Sequence, residues 1–132
     1  VKEDKSFEKK MNYTNKVIER FKSPKHMGEL KEANGKGKVG NPVCGDVMEV
    51  AIKVENNIIV DAKVKTFGCV AAISTSDVVC ELAIGKTIGD AEQITKADVV
   101  SKLEDLPPEK IHCSLLGLDA LKKAISAYKE KH

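Results

Sequence analysis

Six side chains in this chain of 132 residues have the chemistry of soft-metal ligation or sulfur transfer. They are the thiols of Cys44, Cys69, Cys80 and Cys113, the imidazole of His112 and the carboxylate of Asp46. A thiolate is the state that both ligates a metal and accepts sulfur, so the surroundings of each thiol matter as much as its presence. No C-x-x-C pair occurs. Neither a zinc ribbon nor a thioredoxin-type pair is therefore encoded locally, and joint action requires the fold to gather distant segments. Taken singly, a cysteine is more often a small buried hydrophobe than a ligand. Cys80 fits that description, because it lies in a helical pattern among Val78, Val79, Leu82 and Ala83.

The other five residues share a position type. Cys44-Gly45-Asp46 follows Asn41-Pro42 in a turn that leads into a strand. Cys69 follows Phe67-Gly68 where a strand gives way to a helix, and His112-Cys113 opens the last helix after Pro107-Pro108. Element ends are where side chains from separate segments converge. Two of these thiols sit near helix N-termini, whose positive ends stabilise thiolates. Gly45 and Gly68 allow the backbone to bend closely there. His26 and His132 lack such company and read as solvent-facing.

The elements that must position these residues can be read from periodicity. Tyr13, Val17, Ile18 and Phe21 share one face of a helix over about 12–22, which Ser23-Pro24 stops. Lys31 to Asn41 is polar, contains Gly35, Gly37 and Gly40, and reads as a flexible loop. A third strand is placed near Val39, against the Gly and Pro around it. Met48, Val50, Ile52 and Val54 alternate with polar or small residues, as do Ile58, Val60, Ala62 and Val64, with Asn56-Asn57 as the hairpin turn. From about Ala71 the pattern is helical (Ile73, Val79, Leu82, Ala83) up to Gly85. Short helices start at Thr87 and Thr95, the second running to about Leu103. Leu115, Leu118, Leu121, Ile125 and Tyr128 mark one face of a long C-terminal helix. Strands first and helices afterwards predict an α+β domain: a small antiparallel three-stranded sheet with helices packed on one face.

Composition removes several function classes. Lys+Arg 22 against Asp+Glu 20 leaves a net charge of +2, and there are two Tyr, three Phe and no Trp. A dedicated nucleic-acid binder carries a larger basic excess and a stacking platform more aromatics. No apolar run is long enough to span a bilayer, and Val1-Lys2-Glu3-Asp4-Lys5 lacks the apolar stretch of a secretory signal. The expected location is therefore cytoplasmic, where disulfides are disfavoured. Residues 1–38 hold eleven basic and six acidic side chains, so a mildly acidic remainder balances a basic N-terminal third. Residues 1–11 read as a flexible extension and 12–132 as one domain.

Three segments resemble the signatures of one family. Cys44-Gly45-Asp46-Val47-Met48, Phe67-Gly68-Cys69 and Leu106-Pro107-Pro108-Glu109-Lys110-Ile111-His112-Cys113-Ser114 are similar to those of the IscU scaffolds for iron–sulfur cluster assembly. The same domain is the N-terminal part of NifU, and the resemblance spans about 12–130. It implies the IscU-like fold and a protein without independent turnover. Such a scaffold accepts persulfide sulfur from a cysteine desulfurase, combines it with iron into a [2Fe–2S] cluster and passes the cluster to acceptor apoproteins. The resemblance makes Cys44, Cys69 and Cys113 the cluster ligands, with Asp46 or His112 as the fourth and Cys113 as persulfide acceptor. Zinc can occupy the same donors. A carboxylate is a harder partner for cluster iron than a thiolate, which suits Asp46 to a labile cluster. Lys110 would balance the cluster's negative charge.

The sequence departs from the family pattern twice. Val70-Ala71 replaces Gly-Ser after the middle cysteine, and Glu109 stands in place of Val in the segment read by an Hsp70-type chaperone. The competing resemblance is to the zinc-dependent sulfurtransferases of SufU type. Those usually lack the histidine before the last cysteine and carry an insertion ahead of the middle one.

Overall fold

Asn56 and Asn57 both have positive φ, 52° and 67°, the backbone that a two-residue hairpin turn of type I′ demands. In the computed structural model, which describes residues 14–41, 46–68, 70–104, 106 and 111–131, they join β2 (Asp46–Glu55) to β3 (Ile58–Phe67). The strands pair antiparallel with Val50 opposite Val64 and Ala51 opposite Lys63, and the register shifts between Lys53 and Val54. β1 (Gly35–Asn41) pairs antiparallel with the other side of β2, placing Gly37 opposite Val50 and Asn41 opposite Asp46. Strand order is β1-β2-β3. The alternation has its expected outcome for Met48, Val50, Ile52, Val54, Ala62 and Val64, which are buried on one face of the sheet. It is corrected at the start of β3, where Ile58 and Val60 are exposed and Ile59 is buried, because the register shift passes over Val60 and exchanges the faces before it.

Among the described residues, five helices follow from local signals. α1 (Asn15–Lys22) starts at Thr14, whose hydroxyl accepts from the Val17 N–H. α2 (Val70–Ala83) ends just before Gly85, which has a φ of 92°. α3 (Ile88–Ala91) is capped by Thr87, and α4 (Lys96–Lys102) by a reciprocal box between Thr95 and Asp98. α5 spans His112–Lys131. α2 and α5 pack against the sheet, so the architecture is the expected α+β one. No helix among the described residues is long and apolar enough to cross a membrane.

Three further expectations are corrected. The third strand placed near Val39 is present, but it runs over Gly35–Asn41, which take in most of the stretch expected as a flexible loop. The glycines there serve close packing: a Cβ on Gly37 would lie 2.4 Å from Ala120 O and Ala124 N, and one on Gly35 2.5 Å from Ala124 O. The backbone of α5 lies directly on β1. Leu115 is 45% exposed and leaves the buried face of α5, which runs through Leu118, Leu121, Ala124 and Ile125. His26 is half-buried, because its N–H donates to Asp77 and its carbonyl accepts from the Val64 N–H.

α2 is buried nearly all round. Ser74, Thr75, Ser76 and Asp77 are inaccessible alongside Val78, Val79 and Cys80. Each hydroxyl has a partner: Ser74 donates to Val17 O at 2.8 Å, Thr75 and Ser76 to Ala72 O. Satisfied in this way, the polar run enters the core without a large desolvation penalty.

Candidate functional site

The described residues that flank the three predicted turns lie at one end of the sheet. Asn41 and Asp46 are register partners, so the connection holding Cys44 leaves and re-enters the sheet at a single point. Val47 is opposite Phe67, which puts the end of β3, and thus the step from Gly68 to Val70 across Cys69, at that same end. α5 runs antiparallel to β1. Gly35 sits against Ala124 and Tyr128, Gly37 against Ala120 and Ala124, and Gly117 against Met48 near the start of β2. The first turn of α5, with His112 and Cys113, therefore arrives where the other two turns are.

Cys44 and Cys69 lie outside the described residues, as do the side chains of Asp46 and His112. Asp46 is the first residue of β2 and His112 the first of α5. Cys113 is a fully buried thiol one residue further along. Among the described residues alone, no three His, Cys, Asp or Glu side chains cluster as a metal site. Cys80 is separate from this end in character. It is fully buried in α2, and burial first, then the nearby Asp77 charge, pushes its thiol well above the ordinary cysteine range. An unionised, enclosed thiol is a poor ligand and nucleophile.

Two supports around the site are not evident from spacing. Thr66 Oγ1 and Ser76 Oγ are 3.0 Å apart and join the end of β3 to α2, on either side of Cys69 in sequence. Asp77 accepts from Arg20 Nη1 at 2.9 Å and from the N–H groups of Lys25 (3.0 Å) and His26 (2.7 Å), which fastens α1 and the segment after it to α2. Their common signal in the sequence is the polar run 74–77 inside an apolar helix. Arg20 also bonds Glu81, which Lys102 approaches at 3.3 Å. Burial acts to raise the Glu81 carboxyl, but Arg20 and Lys102 outweigh it and hold it below the usual carboxylate range. Two shallow grooves lie elsewhere, one of about 320 Å³ beside Arg20 and Asp77, the other of about 380 Å³ between Leu82 and Asp98. Neither is lined by a predicted site residue.

Fold and chain topology together define a class: an α+β domain in which the end of β1, the starts of β2 and α5 and the end of β3 lie together at one end of a small antiparallel sheet. Within it, the chain belongs to the family of the NifU-like N terminal domain, whose model matches residues 12–132. It is 49% identical over 120 residues to the iron–sulfur cluster assembly scaffold protein IscU 1 of Archaeoglobus fulgidus, covering 91% of this chain and 78% of that one. To the iron–sulfur cluster assembly scaffold protein IscU of Rickettsia prowazekii it is 47% identical over 125 residues, covering 92% and 95%. The fold is shared with the N-terminal part of a NifU-like protein from Brucella abortus (TM-score 0.70, 18% identity, 90% of this chain and 95% of that one).

Proposed function

We propose that residues 12–132 act as one scaffold domain on which iron and sulfur are assembled into a [2Fe–2S] cluster, with the cluster then handed to acceptor apoproteins. The observation that carries this reading is the arrival of Asn41, Asp46, Phe67, Val70 and His112 at one end of the sheet. Their neighbours Cys44, Cys69 and Cys113 supply three soft donors, and Asp46 or His112 a harder fourth. Similarity to proteins named as cluster assembly scaffolds supports it. On this reading the protein turns over nothing by itself. Sulfur comes from a cysteine desulfurase: attack by the Cys113 thiolate on the donor's persulfide releases the donor thiolate and leaves a persulfide on Cys113. Two electrons from an external reductant then give sulfide. Because Cys113 is fully buried, acceptance requires the first turn of α5 to open. Zinc fits the same donors in the absence of iron.

The test is anaerobic reconstitution with ferrous iron, cysteine, a cysteine desulfurase and dithiothreitol. The expected product shows [2Fe–2S] absorption and Mössbauer spectra, and Asp46→Ala holds its cluster longer in air than the unaltered protein. Strong stimulation of the desulfurase by the zinc form, with no cluster formed, would replace the scaffold reading by a sulfurtransferase one.

A further inference from the structure

The two edges of the sheet are treated differently. Along β3, Val64 exchanges hydrogen bonds with the segment 26–28, its N–H going to His26 O and its carbonyl accepting from Gly28 N–H. Ala62 N–H is taken by Asp61 Oδ1, and Ile59 is bonded by Gly85 and Lys86. That edge is closed by the chain itself. The groups of Val64 point away from β2, so the alternation of an antiparallel ladder fixes the directions across the sheet. Val50 faces β1, Gly37 faces Val50, and the N–H and C=O groups of Lys36, Lys38 and Gly40 face outward. Among the described residues no backbone group pairs with these six. Lys123 Nζ alone among the described residues approaches them, 3.5 Å from Lys38 O.

An open edge is a template for another strand unless its charges forbid it. Here the charges select. Lys36 and Lys38 are exposed, and Gly35 and Gly37 turn their α-carbons to α5, so the two lysine side chains line the outer face of the edge. Lys123 flanks the edge from the helix side, next to Gly37. The acids in this neighbourhood are Glu49, opposite Lys38 on β2, Asp119, one turn before Lys123 on α5, and Glu29, which feels the Lys36 charge but is bonded to Lys65 Nζ at 2.6 Å. A second copy would set lysine against lysine, which is unfavourable across a strand pair. An extended segment carrying carboxylates on alternate residues meets the opposite condition.

We infer that β1 is a docking edge that takes an acidic extended segment of a partner protein as a fourth strand, with Lys36 and Lys38 selecting for charge. Such a partner needs no pocket, and the inference is independent of what assembles at the cysteine end.

The experiment uses the full chain and a capped peptide as long as β1 (7 residues), alternating Glu with Val. Amide hydrogen exchange is followed by NMR. The expected result is slowed exchange at Lys36, Lys38 and Gly40 on binding, with Gly37 and Val39, already bonded to β2, unchanged. The same peptide with Lys for Glu should not bind, and the double variant Lys36→Gln, Lys38→Gln should weaken binding by about tenfold. Binding that leaves those three amides unprotected would reduce the edge to a charge patch and overturn the proposal. So would equal binding of the lysine peptide. Protection of the same amides without peptide would assign the edge to a second copy if it depended on protein concentration, and to the chain's own residues if it did not.

Discussion

Asp77 shows most clearly how a single side chain organises this fold. Its carboxylate is inaccessible, yet it accepts one charged and two backbone hydrogen bonds, so its desolvation is offset only while all three donors are present. The donors belong to α1 and to the segment that then bonds Val64, which makes Asp77 the common anchor of the N-terminal part of the chain. Asp77→Ala leaves the N–H groups of Lys25 and His26 without this acceptor and Arg20 with Glu81 as its remaining one. We expect a loss of about 3 kcal/mol of stability, read as a lower urea midpoint. Asp77→Asn, which keeps one acceptor oxygen, should fall in between. A loss below about 0.5 kcal/mol for the alanine variant would mean that water replaces the carboxylate. Cys80, one turn later on α2, is the opposite case. Its type suggests chemistry, but its apolar neighbours in the sequence already place it in the core, and its burial agrees.

At the scale of elements, the closest packing is between α5 and β1, and glycine permits it. Gly37 faces backbone atoms on the helix, Ala120 O and Ala124 N, both 2.4 Å from a would-be Cβ. Neither can rotate away, so Gly37→Ala must push strand and helix apart, at an expected cost of about 2 kcal/mol or more. Gly117 tests the explanation. Its would-be Cβ meets a side-chain atom, Val79 Cγ2 at 3.1 Å, which can shift by a few tenths of an ångström. Alanine also gains about 1 kcal/mol of helix propensity in mid-helix. Gly117→Ala should therefore be near neutral in chemical denaturation, and equal losses at both positions would contradict this reading.

The same comparison explains what was legible. The Asn56-Asn57 turn and the Thr87 and Thr95 caps are local devices, written in two to four residues each, and they form where expected. β1 was obscured because its glycines answer to α5, more than eighty residues away, and resemble loop glycines in a short window. Leu115 misleads for a related reason. Spacing identifies an apolar stripe, but which side of the stripe is covered depends on where β1 and α2 stand. The hydroxyl pair of Thr66 and Ser76 is invisible to periodicity altogether, since its sense comes from two elements meeting.

At the scale of the whole molecule, the described residues that flank the predicted donors lie at one end of the sheet. Cys44 falls between β1 and β2, Cys69 between β3 and α2, and Cys113 in the first turn of α5. The candidate site was legible as five residues at three turns. That the flanking elements end together was not, because it follows from strand register and from the direction of α5 across β1. A metal ion held by these segments joins parts of the chain that have no covalent shortcut, and a site formed only in the folded state adds its binding free energy to folding. Zinc at about one hundred times its dissociation constant should thus raise stability by about 2.7 kcal/mol, removable by a chelator. The increment should vanish in Cys44→Ser, in Cys69→Ser and in Cys113→Ser. Cys80→Ala has a lower starting stability, by about 1 kcal/mol for the small cavity it leaves, but should keep the whole increment. Thermal denaturation of the four variants with and without zinc separates these terms. An increment that survives Cys44→Ser, or disappears in Cys80→Ala, would place the metal somewhere other than at the open end of the sheet.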